Sequence, residues 1–128
     1  MKRAITSTDA PPPMGAYSPA IVCDGWVFVS GQAGFKPDLS DFEADNVELQ
    51  TQQALANIQQ LLAAAGSSLA AVVQTTCYLA DVRTFRRFDA AYASFFADAG
   101  VEALPARTTI GATIPIAVEI AATARVTR

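Results

Sequence analysis

Histidine is absent from this chain of 128 residues, and cysteine occurs only twice. Without histidine there is no Ser-His-Asp or Cys-His catalysis, no histidine-ligated zinc and no histidine general base. Cys23 and Cys77 have neither metal-site nor redox-pair spacing, so both are expected to be free thiols in a reducing compartment. Charge is scarce too: Asp, Glu, Lys and Arg make up 16% of the residues, against about 25% in average globular chains. The net charge is −3 and the longest basic cluster is Arg83, Arg86 and Arg87. That cluster reads as a solvated helix face, and no nucleic-acid partner is expected. No apolar run approaches the ~20 residues of a membrane span, and the N-terminus lacks the apolar segment of a signal peptide. A soluble, cytoplasmic protein without a membrane partner is expected.

Apolar residues are plentiful, at 52%. A small domain with so few charges has surface to hide, which points to oligomerisation through an apolar face. The length predicts one domain over 1–128. A short first strand is expected over 3–6, then a proline-rich loop at 10–15. The turn-like pair Asp24-Gly25 divides a hairpin of Ala20–Cys23 and Trp26–Ser30, ended by Gly31 and Gly34. The spacing of Val47, Ala54, Ile58, Leu61 and Leu62 predicts a helix over 45–65, capped by Asp45 with Glu48 and stopped by Gly66. Its opposite face, Gln50, Gln53, Asn57 and Gln60, is polar and uncharged. A strand over 72–79 follows, with Val73, Thr75, Cys77 and Leu79 on one face. A second helix, capped by Asp81 or Thr84, carries the stripe Phe85, Phe88, Tyr92, Phe95 and Phe96, read as core. Segments 106–114 and 117–126 alternate as strands and are expected to form a hairpin around Pro115. The order is β-β-β-α-β-α-β-β, an α+β sandwich with two helices on one face of the sheet.

Charges inside this apolar frame are the candidates for chemistry. Arg107 and Glu119 each lie within a strand rather than on a turn. An arginine offers a planar fork of donors that matches a carboxylate, and a glutamate in a desolvated site can hold and activate water. Tyr17 follows the prolines and has a hydroxyl to offer. Each also has a structural reading: Arg107 and Glu119 as salt-bridge partners, Tyr17 as a packing residue, Cys77 as a small core residue. In a tight hairpin Arg107 would face 123–125. Glu119 would then lie four to six residues along the strand, on the order of 13–20 Å away. Either a bulge closes that gap or a neighbouring chain completes the site.

The order and spacing of several segments resemble the Rid (YjgF, reactive intermediate deaminase) family over nearly the whole chain. Pro105-Ala106-Arg107-Thr108-Thr109 with Val118-Glu119-Ile120 is similar to its C-terminal signature. Gly15-Ala16-Tyr17-Ser18-Pro19-Ala20 is similar to its ligand loop, and Phe28-Val29-Ser30-Gly31-Gln32 to its Ser-Gly-Gln strand end. The resemblance implies a chorismate-mutase-like fold, a homotrimer with clefts between subunits, and a cofactor-independent hydrolase without a metal. It implies hydrolysis of 2-imino or 2-enamino acids, made by pyridoxal-phosphate enzymes, to 2-oxo acids and ammonia. Arg107 would then bind the substrate carboxylate and Glu119 the water. Tyr17, Ser30, Gly31, Asp89 and Thr109 would line the pocket. Alternatives within the resemblance are a non-catalytic small-carboxylate-binding or regulatory protein and a pathway-specific deaminase of the aminoacrylate or aminomuconate type. Members described as endoribonucleases also exist, but the acidic balance argues against that activity. Three features depart from the family pattern: Thr108 and Thr109 after the arginine, Asp89 where an asparagine lines the cleft, and a shorter connection from Arg107 to Glu119, twelve positions apart.

Overall fold

The computed structural model describes residues 1–127. The elements are β1 (Lys2–Ile5), β2 (Ala20–Cys23), β3 (Trp26–Ala33), α1 (Val47–Ala64), β4 (Val72–Leu79), α2 (Phe85–Asp98), β5 (Ala106–Gly111) and β6 (Val118–Arg125). The order of types is the expected one. The strands form one mixed sheet in the order β1-β2-β3-β6-β4-β5, with both helices packed on it.

Local signals account for most of the elements. Asp24 (φ 51°) and Gly25 (φ 80°) both adopt the left-handed conformation that a two-residue hairpin turn demands, so β2 and β3 pair as the sequence predicts. β3 does not end at Gly31. It bulges between Val29 and Gln32 and continues to Ala33 beside β6. A second irregularity at Val72–Gln74 turns Val73 outward, 44% exposed, although the alternation had placed it with Thr75, Cys77 and Leu79.

The helices carry two corrections. α1 is capped by Asn46, one residue later than expected: its side chain accepts a hydrogen bond from the Leu49 amide at 2.9 Å. Glu48 is drawn away to α2, where its Oε1 lies 2.7 Å from Arg87 Nη2. That pairing holds the Glu48 carboxyl below its usual range. Arg83 likewise pairs with Asp81 at 2.9 Å, and all three clustered arginines are exposed, the solvated face that the sequence predicts. The aromatic stripe of α2 is core for Phe88, Tyr92 and Phe96, while Phe85 stays 41% exposed. Tyr92 shares a 2.8 Å hydrogen bond with the Thr75 hydroxyl in β4, and burial pushes its own hydroxyl up to about 12. Burial also raises the Cys77 thiol to about 11, and both cysteines are free.

The largest correction concerns the C-terminal strands, which form no hairpin. β6 lies between β3 and β4, antiparallel to both, and β5 lies at the edge, parallel to β4. Arg107 is opposite Thr75 in β4, not the 123–125 segment.

The polar face of α1 is the other departure. Gln50 and Asn57 are completely or almost completely buried, whereas Gln60 is exposed. Asn57 donates to the carbonyls of Ala33 (3.2 Å) and Phe35 (2.8 Å) and accepts from Gln53 (2.9 Å). Gln50 donates to the Glu43 and Ala44 carbonyls and accepts from the Ala117 amide at 2.9 Å. These amides satisfy irregular backbone at the end of β3 and just before β6, where no ladder partner exists. Asn57→Leu is expected to cost roughly 2–3 kcal/mol, since it removes the partner of the half-buried Ala33 and Phe35 carbonyls and of Gln53. Gln60→Leu should change stability by less than about 0.5 kcal/mol. Urea denaturation midpoints at unchanged slope read both.

Candidate active site

Register and alternation decide where the candidate side chains go. In β6, Val118, Ile120, Ala122 and Ala124 are buried beneath the helices, so Glu119 points to the opposite, open face of the sheet. Its neighbours in register are Ala33 in β3 and Tyr78 in β4. Arg107 pairs with Thr75, which touches Tyr92 of α2, so Arg107 and Thr109 lie on the helix face of the edge strand. The two charges are two strands and three residues apart, about 14 Å between Cα atoms at ~4.8 Å per strand and ~3.3 Å per residue. They also leave the sheet on opposite sides. The separation expected from a hairpin therefore holds, but for a different reason.

Each charge stands in its own candidate half-site. On the open face a cavity of about 310 Å³ is walled by the 11–14 loop, Tyr17, the end of β3, Phe35 and the Pro115-Ile116 turn, with Glu119 among its lining residues. Gly31 leaves room there for the Glu119 side chain. A Cβ on it would lie 2.5 Å from Glu119 Oε2 and 2.8 Å from Cδ, so the carboxylate occupies the space that any side chain at position 31 would fill. Among the described residues the Glu119 carboxylate makes no ion pair or hydrogen bond, which leaves both oxygens open to water or a ligand. The Tyr17 hydroxyl accepts a hydrogen bond from the Met14 amide at 3.1 Å, so its own O–H remains available to donate. Ser30 is spent differently from the other expected lining residues. Its hydroxyl donates to the Ser18 carbonyl at 2.6 Å and its amide to Pro19 at 2.9 Å, tying the Tyr17 loop to β3.

The second half-site sits at the sheet edge. The Arg107 guanidinium carbon lies 4.7 Å from the Tyr92 ring centroid and 5.3 Å from that of Phe88, and Nη1 is 2.8 Å from Asp89 Oδ1. Thr109 follows two residues along on the same face. The structure thus brings Tyr17, Gly31 and Glu119 together, and Arg107, Asp89 and Thr109 together, but does not join the two groups within one chain. Residue types alone did not single out Met14, Phe35 and Ile116 as cavity walls, because an apolar loop residue looks the same whether it packs inward or lines a cleft. Gln50 was also missed; by fixing the Ala117 amide it sets the start of β6 two residues before Glu119.

Among the described residues no cluster of ligating side chains fits a metal ion, and no helix is long and apolar enough to cross a membrane.

Known proteins resemble the chain in sequence and in fold. The family model described as endoribonuclease L-PSP matches residues 7–126. A RutC family protein of Pyrococcus horikoshii is 36% identical over 86% of this chain and 84% of its own. The rat 2-iminobutanoate/2-iminopropanoate deaminase is 36% identical over 75% of this chain and 70% of its own. Among solved structures, the Rid-family protein YyfA of Yersinia pestis superposes with a TM-score of 0.90 at 32% identity, covering 98% of this chain and 100% of that one. Escherichia coli TdcF with bound serine gives 0.90 at 26% identity, covering 96% and 98%. Reactive intermediate deaminases are thus among the members of this family, and by sequence and fold together the chain belongs to it, the YjgF/Rid family.

Proposed function

We propose that the protein is an imine/enamine deaminase that hydrolyses 2-imino or 2-enamino acids to 2-oxo acids and ammonia, in clefts between the copies of a homotrimer. The observation that carries this reading is the division of the two charges: an arginine on one face of the sheet and an unpartnered glutamate in a cavity on the other. A second copy is the simplest source of the missing half for each. The open face of the sheet supports the assembly. It presents Phe28, Gln74, Thr76, Ala121 and Thr123 around a shallow depression, with Phe28 47% exposed and no charge among them.

The chemistry follows from what each half offers. The donors of Arg107 take the substrate carboxylate and fix the C=N carbon over the neighbour's cavity. There Glu119 removes a proton from water as its oxygen bonds to that carbon and returns it to nitrogen; as the C–N bond breaks, Glu119 passes the remaining hydroxyl proton to the departing ammonia, leaving the carbonyl. The balance is R–C(=NH₂⁺)–COO⁻ + H₂O → R–CO–COO⁻ + NH₄⁺. The imine is already electrophilic, so placing it beside a held water supplies most of the acceleration and no cofactor is called on. The Tyr17 hydroxyl donates to the reacting group, Gly31 leaves room for Glu119, Ser30 holds the Tyr17 loop and Thr109 lines the arginine side. The deaminase named among the relatives supports the substrate class.

The test generates 2-iminopropionate in situ and follows its capture by semicarbazide. Wild-type protein is expected to accelerate imine loss. Glu119→Gln should lower kcat about 100-fold, and Arg107→Ala should lower kcat/KM by a similar factor. No acceleration by the wild type, or an Arg107→Ala variant that behaves like it, defeats the reading. Binding of a 2-oxo acid without any turnover would point instead to a carboxylate-binding protein that does no chemistry. Gly31→Ala displaces Glu119 by direct contact, and a misplacement of ~1 Å typically costs about 100-fold in rate. Its thermal midpoint should change far less than its kcat.

A further inference from the structure

Arg107 already has an anion beside it. Asp89 Oδ1 lies 2.8 Å from Nη1, and the guanidinium carbon sits over the rings of Tyr92 and Phe88, 4.7 and 5.3 Å from their centroids. The Arg107 side chain is 20% exposed and that of Asp89 48%, so the pair stands at the rim of the sheet edge, open to a ligand. The contact is one oxygen to one nitrogen rather than a two-point clasp. Among the described residues the other donors of the guanidinium and the second carboxylate oxygen of Asp89 form no hydrogen bond. The rim therefore presents donors next to an acceptor, and the charges of the pair cancel.

Such a pair does not suit a plain carboxylate. A carboxylate satisfies the arginine donors but meets the Asp89 charge, and nothing on it pairs with the free Asp89 oxygen. A ligand carrying an N–H donor next to its carboxylate satisfies both groups. We propose that Asp89 is a specificity-determining residue: with Arg107 it selects a carboxylate that brings its own N–H donor, an α-iminium or α-ammonium acid, over the bare 2-oxo acid. The ligand preference stands on the ion pair, and its consequence for turnover rests on the deaminase reading. The substrate iminium acid is a zwitterion with N–H donors. Hydrolysis removes the nitrogen and leaves a net anion with acceptors only. The product is then the poorer ligand and departs readily.

L-Alanine and pyruvate share one carbon skeleton and differ in this donor, so they serve as probes. Calorimetric titration of each into the wild-type protein, Asp89→Asn and Arg107→Ala reads the preference. The wild type should bind alanine more tightly than pyruvate. Asp89→Asn should tighten pyruvate about tenfold, a modest factor because Asp89 is half exposed and screened, and should leave alanine unchanged or weaker. Arg107→Ala should lose both. A purely structural Asp89 would move both affinities together, and that result overturns the proposal. So does a wild type that prefers pyruvate, or one that binds neither probe. Imine turnover without the preference sinks this inference alone. The preference without turnover sinks only the deaminase reading.

Discussion

Side chains alternate across a strand, and that alternation separates the two charges on which the proposed chemistry depends. β6 is inserted between β3 and β4 with its even-numbered residues beneath the helices, so Glu119 must face the other way. β5 runs parallel to β4 with Arg107 opposite Thr75, so Arg107 must face the helices. No side-chain rotation undoes this, and a one-residue slip of β6 would expose Val118, Ile120, Ala122 and Ala124. Each chain carries the two ends of the proposed site back to back, and the proposed trimer is the assembly that would turn one end towards another copy's complement.

The rest of the structure serves these two ends. Gln50 and Asn57 reach from α1 to the backbone on either side of Glu119, at Ala117 and Ala33. A buried amide with all its partners is rigid, and losing any partner is costly. The Ser30 hydroxyl fastens the Tyr17 loop, and Gly31 keeps clear the volume into which Glu119 extends. On the other face Phe88 and Tyr92 form the shelf for Arg107, while the same Tyr92 binds Thr75 and so ties α2 to β4. The aromatic stripe that reads simply as core is therefore also the support of a charged group.

What the sequence makes legible is local. Asp24-Gly25, the spacing of Ile58, Leu61 and Leu62, and the aromatic stripe each state their own element, because turn geometry and helical period act over a few residues. Strand pairing acts over long separations and leaves no local mark. The 106–114 and 117–126 segments alternate identically whether they pair with each other or flank a third strand, so a hairpin was expected and β4 lies between them instead. The amides of α1 misled for a related reason: a polar residue on a helix normally faces water, and only the irregular backbone it must satisfy explains Gln50 and Asn57. Arg107, Glu119, Tyr17 and Gly31 were readable as individual residues. Their division between two faces was not, since it follows from the pairing.

The central claim is that a working site takes Glu119 from one chain and Arg107 from another. Mixing Arg107→Ala and Glu119→Gln proteins tests it directly, after each is unfolded and the two are refolded together in equal amounts. If sites form between chains, random assembly restores both groups in about a quarter of them, and imine turnover should rise from near zero to about that fraction of wild type. If each site is built within one chain, no mixed assembly can hold both groups, and turnover that stays at the level of the separate variants contradicts the account.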